Sequence, residues 1–285
     1  MLQGWRFWFG MVLIWLALKT QASEPLRVAI AEPSVGYAEY VEQFRAALQQ
    51  EAGDSVRIVA DVANAQLILA LGDQTFQASL SSSLPLVGIH ISSSLLSAAR
   101  DAGCHCSGIY REAPLPAQLS LLSELLPGAR RVGVLLGDGS QFREKDFSSP
   151  GLLFDIRYVT DHRQLAPVLG DLLSGVDVLL ALPDAAIYNA DTARLILLTS
   201  YRQSKPVIGP DDVFVRAGSL ASVQPSAEGL VRSTASLLQA TVVGEPLPEP
   251  RYASLMVSVN RHVARSYGVG DVDIDRIEKG LEGMR

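Results

Sequence analysis

Short apolar runs alternate with amphipathic stretches along most of the chain. The runs are nearly all apolar, as expected of strands that are covered by helices on both faces of a sheet. Their lengths and their flanking Gly, Pro and polar residues favour strands over buried helices. The predicted strands are Leu26–Ala31, Val56–Ala60, Leu67–Leu71, Leu86–Ile91, Arg131–Leu136, Phe154–Val159, Asp177–Leu182 and Pro206–Gly209.

Two of the amphipathic stretches show a clear helical period. The segments 37–52 and 162–174 repeat apolar residues at spacings of three and four, which places these residues on one helix face. The apolar residues are Tyr37, Val41, Phe44 and Leu48 in the first stretch and Leu165, Val168, Leu169, Leu172 and Leu173 in the second. Because strands and helices alternate, we expect an α/β fold with parallel sheets and right-handed crossovers.

The sequence also contains an internal echo, by which we mean three short strings of the first half that recur in similar form in the second half. LILALGD, ending at Asp73, resembles VLLALPD, ending at Asp184. LRVAIAEPS near residue 30 resembles RRVGVLLGDGS near residue 135, and LPLVG at 84–88 resembles KPVIG at 205–209. The three pairs occur in the same order in both halves of the chain. This repetition predicts two similar α/β lobes, as in a clamshell that closes by a hinge.

The N-terminus has the pattern of an export signal. Arg6 and the free amine precede an apolar run at Phe7–Leu18, and a short polar stretch with small residues at Thr20 and Ala22 follows. This order is typical of a cleaved signal peptide, and the run is short for a membrane span of about 20 residues. We therefore predict a signal peptide over 1–22 and a periplasmic mature protein, with an uncleaved anchor as the alternative.

Length and composition fit a folded two-lobed protein. The chain has 285 residues, of which 48% are hydrophobic and 19% are charged. Two small lobes fit within this length. The formal net charge of -6 gives no support for nucleic-acid binding, which requires a basic surface. We therefore expect no nucleic-acid partner.

Sequence motifs give little support for catalysis. The chain has no GxSxG elbow, no HExxH, no P-loop and no GxGxxG after a strand, so we predict that it is not an enzyme. None of its histidines has metal-ligand spacing to another, and we predict no cofactor. These histidines are His90, His105, His162 and His262.

The two cysteines lie in the string GCHCSG. Cys104 and Cys106 could form a disulfide, although a bridge across one residue is tight. With His105 they could also bind Zn²⁺ or Cu(I), but a fourth ligand is lacking. A loop with a reducible disulfide or free thiols is the simpler interpretation, and metal handling remains a weaker hypothesis.

Four blocks of the sequence carry a further pattern: LILALGDQTFQASLSSSLPLVGI, QLSLLSELLPGARRVGVLL, FVRAGSLAS at 214–222 and VNRHVARSYGV at 259–269. They resemble the ABC transporter substrate-binding proteins related to the tryptophan/tyrosine-type binding proteins, and the resemblance extends over nearly the whole chain after residue 22. A monomer is usual for proteins of this kind. The resemblance implies the type I periplasmic-binding-protein fold, with two Rossmann-like lobes and three crossing segments. It implies a first lobe of 24–113 plus 224–245 and a second lobe of 114–223 plus 246–285.

Three positions depart from the family pattern. Ile89-His90-Ile91-Ser92 stands where the family commonly has an Asp-Pro pair, and His105-Cys106-Ser107-Gly108 stands where it often has Asn-x-Thr-Gly. SVQPSAEG replaces a passage that usually contains Tyr and Gly. Because these loops would touch the ligand or shape the hinge, an aromatic amino-acid ligand does not follow from the resemblance.

The expected ligand site lies beyond the carboxyl ends of the strands, in the cleft between the lobes. Helix N-termini there favour a carboxylate, Asp side chains favour an ammonium group, and Tyr rings could stack on an apolar ligand. For each Asp, helix capping is an equally good interpretation. The candidate residues are Ser34, Tyr37, Gly72, Asp73, Gln74, His90, Asp184, Tyr188 and Asp211, with Asp184 and then His90 as the most informative.

The sequence is compatible with two functions. The first is solute binding for an ABC transporter, whose permease would be a separate chain. The second is a sensor or accessory protein of the same fold that signals its ligand state to a membrane partner, and the altered cleft loops motivate it.

Overall fold

The computed structural model describes residues 24–31, 38–138 and 140–284. The predicted signal peptide lies outside the described residues. Within the described ranges, no helix is both long and apolar enough to cross a membrane.

Eleven strands and ten α-helices, numbered in chain order, make up this part of the chain. The strands are β1 (Leu26–Ala31), β2 (Val56–Val59), β3 (Leu67–Leu71), β4 (Leu86–Ile91), β5 (Cys106–Tyr110), β6 (Arg131–Gly137), β7 (Leu153–Val159), β8 (Val178–Leu180), β9 (Val207–Ile208), β10 (Ala221–Pro225) and β11 (Leu255–Val259). The helices are α1 (Ala38–Ala52), α2 (Gly72–Ser79), α3 (Ser93–Asp101), α4 (Leu115–Leu125), α5 (Leu165–Gly175), α6 (Ala190–Arg202), α7 (Asp212–Ala217), α8 (Ala227–Gln239), α9 (Arg261–Ser266) and α10 (Ile274–Leu281).

The strands form two sheets, which define the two lobes. The first sheet has the order β2-β1-β3-β4-β5 and is parallel throughout, and the second has the order β11-β10-β9-β8-β6-β7. Only β11, at the edge of the second sheet, runs antiparallel to its neighbour. The predicted α/β class with two parallel-sheet lobes is therefore confirmed.

The internal echo corresponds to equivalent places in the two sheets. Its three pairs are β1 with β6, β3 with β8, and β4 with β9, and each pair occupies the same position in its sheet. The register also agrees, because Leu69 pairs with Val87 in the first sheet and Leu180 pairs with Ile208 in the second. The sequence repetition thus reflects repetition of both topology and register.

Three strands were not predicted from the apolar pattern. β5 reads CSGIY and β10 reads ASVQP, so small and polar residues interrupt both. β11, LMVSV, lies at a sheet edge and is only partly buried. The eight predicted strands are all present, with β8 and β9 shorter than expected.

The chain passes between the lobes three times: after β5, after β10 and before β11. α4 follows the first passage and buries Leu121 and Leu122 in the core of the second lobe. α8 follows the next and buries Leu237 and Leu238 in the core of the first lobe. Burial of each helix in the lobe opposite to the preceding strand makes the lobes interdependent. The predicted lobe boundaries themselves stay a prediction.

Candidate functional site

A cavity of about 570 Å³ opens at the carboxyl ends of β3 and β4 in the first lobe. Ligands of parallel α/β sheets bind at this end of the strands. Four of the predicted site residues, Gly72, Asp73, Gln74 and His90, lie together in the cavity wall. The full lining is Tyr40, Leu71, Gly72, Asp73, Gln74, Thr75, Ile89 and His90.

Asp73 connects three strand ends through its carboxylate. Oδ1 accepts a hydrogen bond of 2.7 Å from the backbone N–H of Ser92, and Oδ2 accepts one of 3.1 Å from Nη1 of Arg111. Both side chains of the ion pair are about a third exposed, at 31% and 37%. Arg111 was missed by sequence reasoning because it follows β5, a strand that the apolar pattern did not predict.

His90 is set into the cavity by a bulge in β4. The register with β5 shifts between Ile89 and Ile91, so His90 is an extra residue that β5 does not pair. Its φ is +58°, in the left-handed region that costs most residues about 1–2 kcal/mol. Ile89 and Ile91 are both buried while His90 is exposed. The bulge therefore re-aims one polar side chain, as bulges beside functional sites often do.

The surroundings of His90 lower the pKa of its imidazole and so favour the neutral form. Although part of the His90 side chain is exposed at the cavity, desolvation of the imidazole by the surrounding cavity wall lowers its pKa, the nearby Arg111 charge lowers it further, and the Asp73 charge opposes both. A neutral imidazole can both donate and accept a hydrogen bond. His90 can thus recognise an uncharged polar group.

The carboxylate of Asp184, in the second lobe, accepts hydrogen bonds from backbone N–H groups of the same lobe. Oδ2 accepts from the N–H of Gly137 at 2.8 Å, and Oδ1 accepts from the N–H of Ala186 at 3.0 Å. A Cβ on Gly137 would lie 3.1 and 3.2 Å from the two carboxylate oxygens. Asp184 therefore joins the end of β6 to the turn after β8, whereas the N-cap of the following helix, α6, is Asn189.

The remaining candidates occupy different places. Asp211 caps α7, since its Oδ1 accepts from the N–H of Phe214 at 2.9 Å. Tyr188 is 6% exposed and packs edge-on against Phe214 in the core of the second lobe, with ring centroids 6.0 Å apart. The structure does not bring Tyr188 to the surface of the cleft. Ser34 and Tyr37 lie outside the described residues.

Glu112 is a buried carboxylate in the passage between β5 and α4. It is 3% exposed, and its Oε2 accepts from the N–H of Ser93 at 3.2 Å, at the start of α3. Burial raises the pKa of Glu112, while hydrogen bonds and the Arg111 charge partly oppose the rise. Like Arg111, this residue follows the unpredicted strand β5 and had no motif to mark it.

The raised pKa of Glu112 predicts a pH-dependent gain in stability for Glu112→Gln. The native state binds the proton more tightly than the unfolded chain, so stability falls as the pH rises from the unfolded pKa through the folded pKa. Glu112→Gln removes this loss. In urea unfolding, the variant's gain in the free energy of unfolding over the parent should be larger at pH 7 than at pH 4. An equal difference at both pH values would contradict the prediction.

Cys104 and Cys106 form a disulfide with a Cα–Cα distance of 5.3 Å. The pair lies at the start of β5, at the opposite end of the strand from Arg111 and Glu112. Across the described ranges, no group of three or more His, Cys, Asp or Glu side chains is arranged to hold a metal ion.

No protein-family model matches this sequence, and no curated protein matches it. Solved structures do resemble the fold. The ligand-free, open structure of a substrate-binding protein with adhesive properties from Clostridium difficile has a TM-score of 0.64 at 16% identity, over 88% of this chain and 96% of that one.

Two further structures have a TM-score of 0.57. An ABC domain in complex with L-Trp from Streptococcus pneumonia is 18% identical and matches over 89% of this chain and 98% of that one. A conserved domain protein from Vibrio cholerae is 15% identical, over 87% and 96%. At these identities the likeness shows the fold alone, the type I periplasmic-binding-protein fold.

Proposed function

We propose that this protein binds a small molecule between its two lobes and delivers it to an ABC transporter. The observation that carries the proposal is the cavity at the ends of β3 and β4, into which a bulge sets His90. Strain at a bulged, left-handed histidine persists where the surrounding structure over-determines it, and such positions cluster at binding sites. The protein would be exported, and the permease and ATPase would be separate chains.

The cavity wall suits a solute with an apolar body and a polar group. Leu71, Ile89 and the ring of Tyr40 supply the apolar surface, while His90 and Gln74 supply hydrogen-bonding groups. The Asp73–Arg111 ion pair places a balanced pair of charges beside them. An amino acid or a similar small solute fits this chemistry. Closure of the second lobe would then exclude water from the bound solute.

A sensor or accessory function is the second candidate. Ile89-His90-Ile91-Ser92 stands where the resembled family commonly has an Asp-Pro pair, so this chain departs from the family at a loop that would face the ligand. Both functions share a ligand-dependent closure of the lobes. They differ in the partner that reads the closed form, a permease in one case and a membrane sensor in the other.

Ligand binding at His90 is tested by a thermal-shift screen against amino acids, small organic acids, purines, sugars and metal ions. A ligand at one hundred times its Kd stabilises the native state by about 2.7 kcal/mol. We expect His90→Gly to abolish the shift produced by any specific hit. The glycine also removes the left-handed strain, so the ligand-free variant should be no less stable than the parent.

Ser204→Gly is the matched control. Ser204, at φ +55°, is the other non-glycine residue with a left-handed φ among the described residues. It lies in the second lobe, in the turn between α6 and β9, and lines none of the cavity. Both glycine variants relieve the same kind of backbone strain, but only His90→Gly should lose the ligand. A hit that His90→Gly still binds with unchanged affinity would reject this site.

A further inference from the structure

A side chain of the second lobe reaches the first lobe beside the cleft. Oε1 of Gln141, in the loop after β6, accepts a hydrogen bond of 3.2 Å from the backbone N–H of Ser94. The same oxygen accepts from the hydroxyl of Ser93. Ser93 and Ser94 form the start of α3, whose first N–H groups have no partner within the helix. The Gln141 oxygen therefore supplies a cap from another lobe.

Both sides of this contact are anchored within their own lobes. In the first lobe, the buried Glu112 carboxylate accepts from the N–H of Ser93 and holds the first turn of α3 in place. In the second lobe, the ring of Phe142 packs against Phe147 at a centroid distance of 6.3 Å. Because both partners are already anchored, they lose little conformational entropy when they meet. The hydrogen bonds between them therefore oppose separation of the lobes.

The second-lobe loop is also fixed through its backbone. Nη1 of Arg143 donates to the carbonyl of Phe142 at 3.0 Å, and the N–H of Ser140 donates to the carbonyl of Gly137 at 3.2 Å. Ser140, immediately before Gln141, is thus tied to the last residue of β6, and Phe142, immediately after it, packs against Phe147. The Gln141 side chain cannot follow α3 if the lobes move apart, and opening must break its hydrogen bonds.

We propose that Gln141 is an interlobe latch, whose hydrogen bonds to the start of α3 hold the two lobes in the arrangement seen here. A cavity of about 710 Å³ adjoins the latch and includes Ser93, Gln141, Phe142 and Tyr252 in its lining. Water in this cavity can compete for the latch, so the contact is reversible. One or two such hydrogen bonds shift an opening equilibrium by about tenfold.

The latch makes a prediction about ligand-free protein, and its test does not depend on which ligand the cleft takes. Gln141→Ala should raise the hydrogen-exchange rate of the Ser94 amide by about tenfold, because this amide loses its acceptor. The amide of Ser93 is bonded to Glu112 and serves as the internal reference. Small-angle X-ray scattering of the same ligand-free variant should show a larger radius of gyration.

Gln203→Ala is the matched control. The side-chain amide of Gln203 donates to the carbonyl of Gly170 at 3.2 Å, within the second lobe, so its removal should leave the lobe separation unchanged. Ser93→Ala removes the hydroxyl donor from the other side of the latch and should give a smaller increase in the radius of gyration. Circular dichroism confirms that each variant is folded.

Two results would overturn the latch. If Ser94 exchange is unchanged in Gln141→Ala, the contact does not form in solution. If Ser94 exchange rises while the radius of gyration equals that of the parent and of Gln203→Ala, the contact caps α3 without controlling the lobes. Neither result bears on ligand binding at His90, which is measured separately.

Discussion

Gly229→Ala is expected to destabilise the protein by about 3 kcal/mol, at the upper end of the range for overpacking. Gly229 lies in the first turn of α8, against the passage that leads into β11. A Cβ at this position would lie 2.5 Å from the carbonyl oxygen and 2.9 Å from the nitrogen of Ser254. Both are backbone atoms, which cannot rotate away as a side chain could.

The effect should spread to both lobes because of where the clash falls. The Ser226 hydroxyl caps α8 through the N–H of Gly229 at 2.9 Å, and Ser226 N–H donates to the carbonyl of Ser254 at 2.9 Å. Two of the three passages between lobes therefore meet at Gly229. Urea unfolding of the variant should show a lower midpoint, and any surviving native state should have an altered lobe separation.

Gly170→Ala provides the control for this prediction. Gly170 is also helical, in α5, and a Cβ there would meet nothing within 4 Å. The substitution should therefore stabilise the protein by about 0.5–1 kcal/mol through helix propensity alone. If Gly229→Ala behaves like Gly170→Ala, the close approach of α8 to Ser254 is not a feature of the folded protein.

Tyr188→Ala is expected to lower stability by about 3–5 kcal/mol, the usual result of removing a large buried aromatic ring. The ring is 6% exposed and packs against Phe214 among the apolar residues between the second sheet and its helices. The pKa of the Tyr188 hydroxyl is raised by burial. This hydroxyl lies near the backbone of Leu135 but makes no hydrogen bond of normal geometry.

Tyr188→Phe separates packing from recognition. Because the hydroxyl has no good partner, its removal should change stability by less than about 1 kcal/mol. Ligand affinity should also stay unchanged, since the ring does not reach the cleft. Chemical unfolding and a titration with any hit from the screen measure the two effects. A loss of affinity in Tyr188→Phe, with stability intact, would restore Tyr188 to the ligand site.

The sheets were the most predictable part of this protein. Strands buried on both faces must be apolar nearly throughout, so β1, β3 and β4 could be located from composition along the chain, and their bounds match the structure. The internal echo was equally informative about the two lobes. Strands at equivalent positions in two sheets have similar packing surroundings, and these surroundings require similar residues. β5 escaped prediction since small and polar residues fill its first half.

The candidate site was predictable only in part. The rule that ligands lie beyond the carboxyl ends of strands placed Gly72, Asp73, Gln74 and His90 in one wall. The rule could not separate a side chain that faces the cavity from one that turns into the core, as Tyr188 does. It also could not find Arg111 and Glu112, because they follow a strand that the pattern did not reveal.

The sequence by itself determined the α/β class, the twofold repetition and most strand positions, because these depend on local hydrophobic period and on the need to bury each strand. Only the tertiary structure decided which polar groups meet. The bulge that turns His90 outward, the commitment of Asp184 to the Gly137 amide and the reach of Gln141 to α3 each join distant segments. Whether a hydrogen bond forms between such segments depends on a few tenths of an ångström in the distance between donor and acceptor atoms. The hydrophobic period along the chain carries no information on that scale.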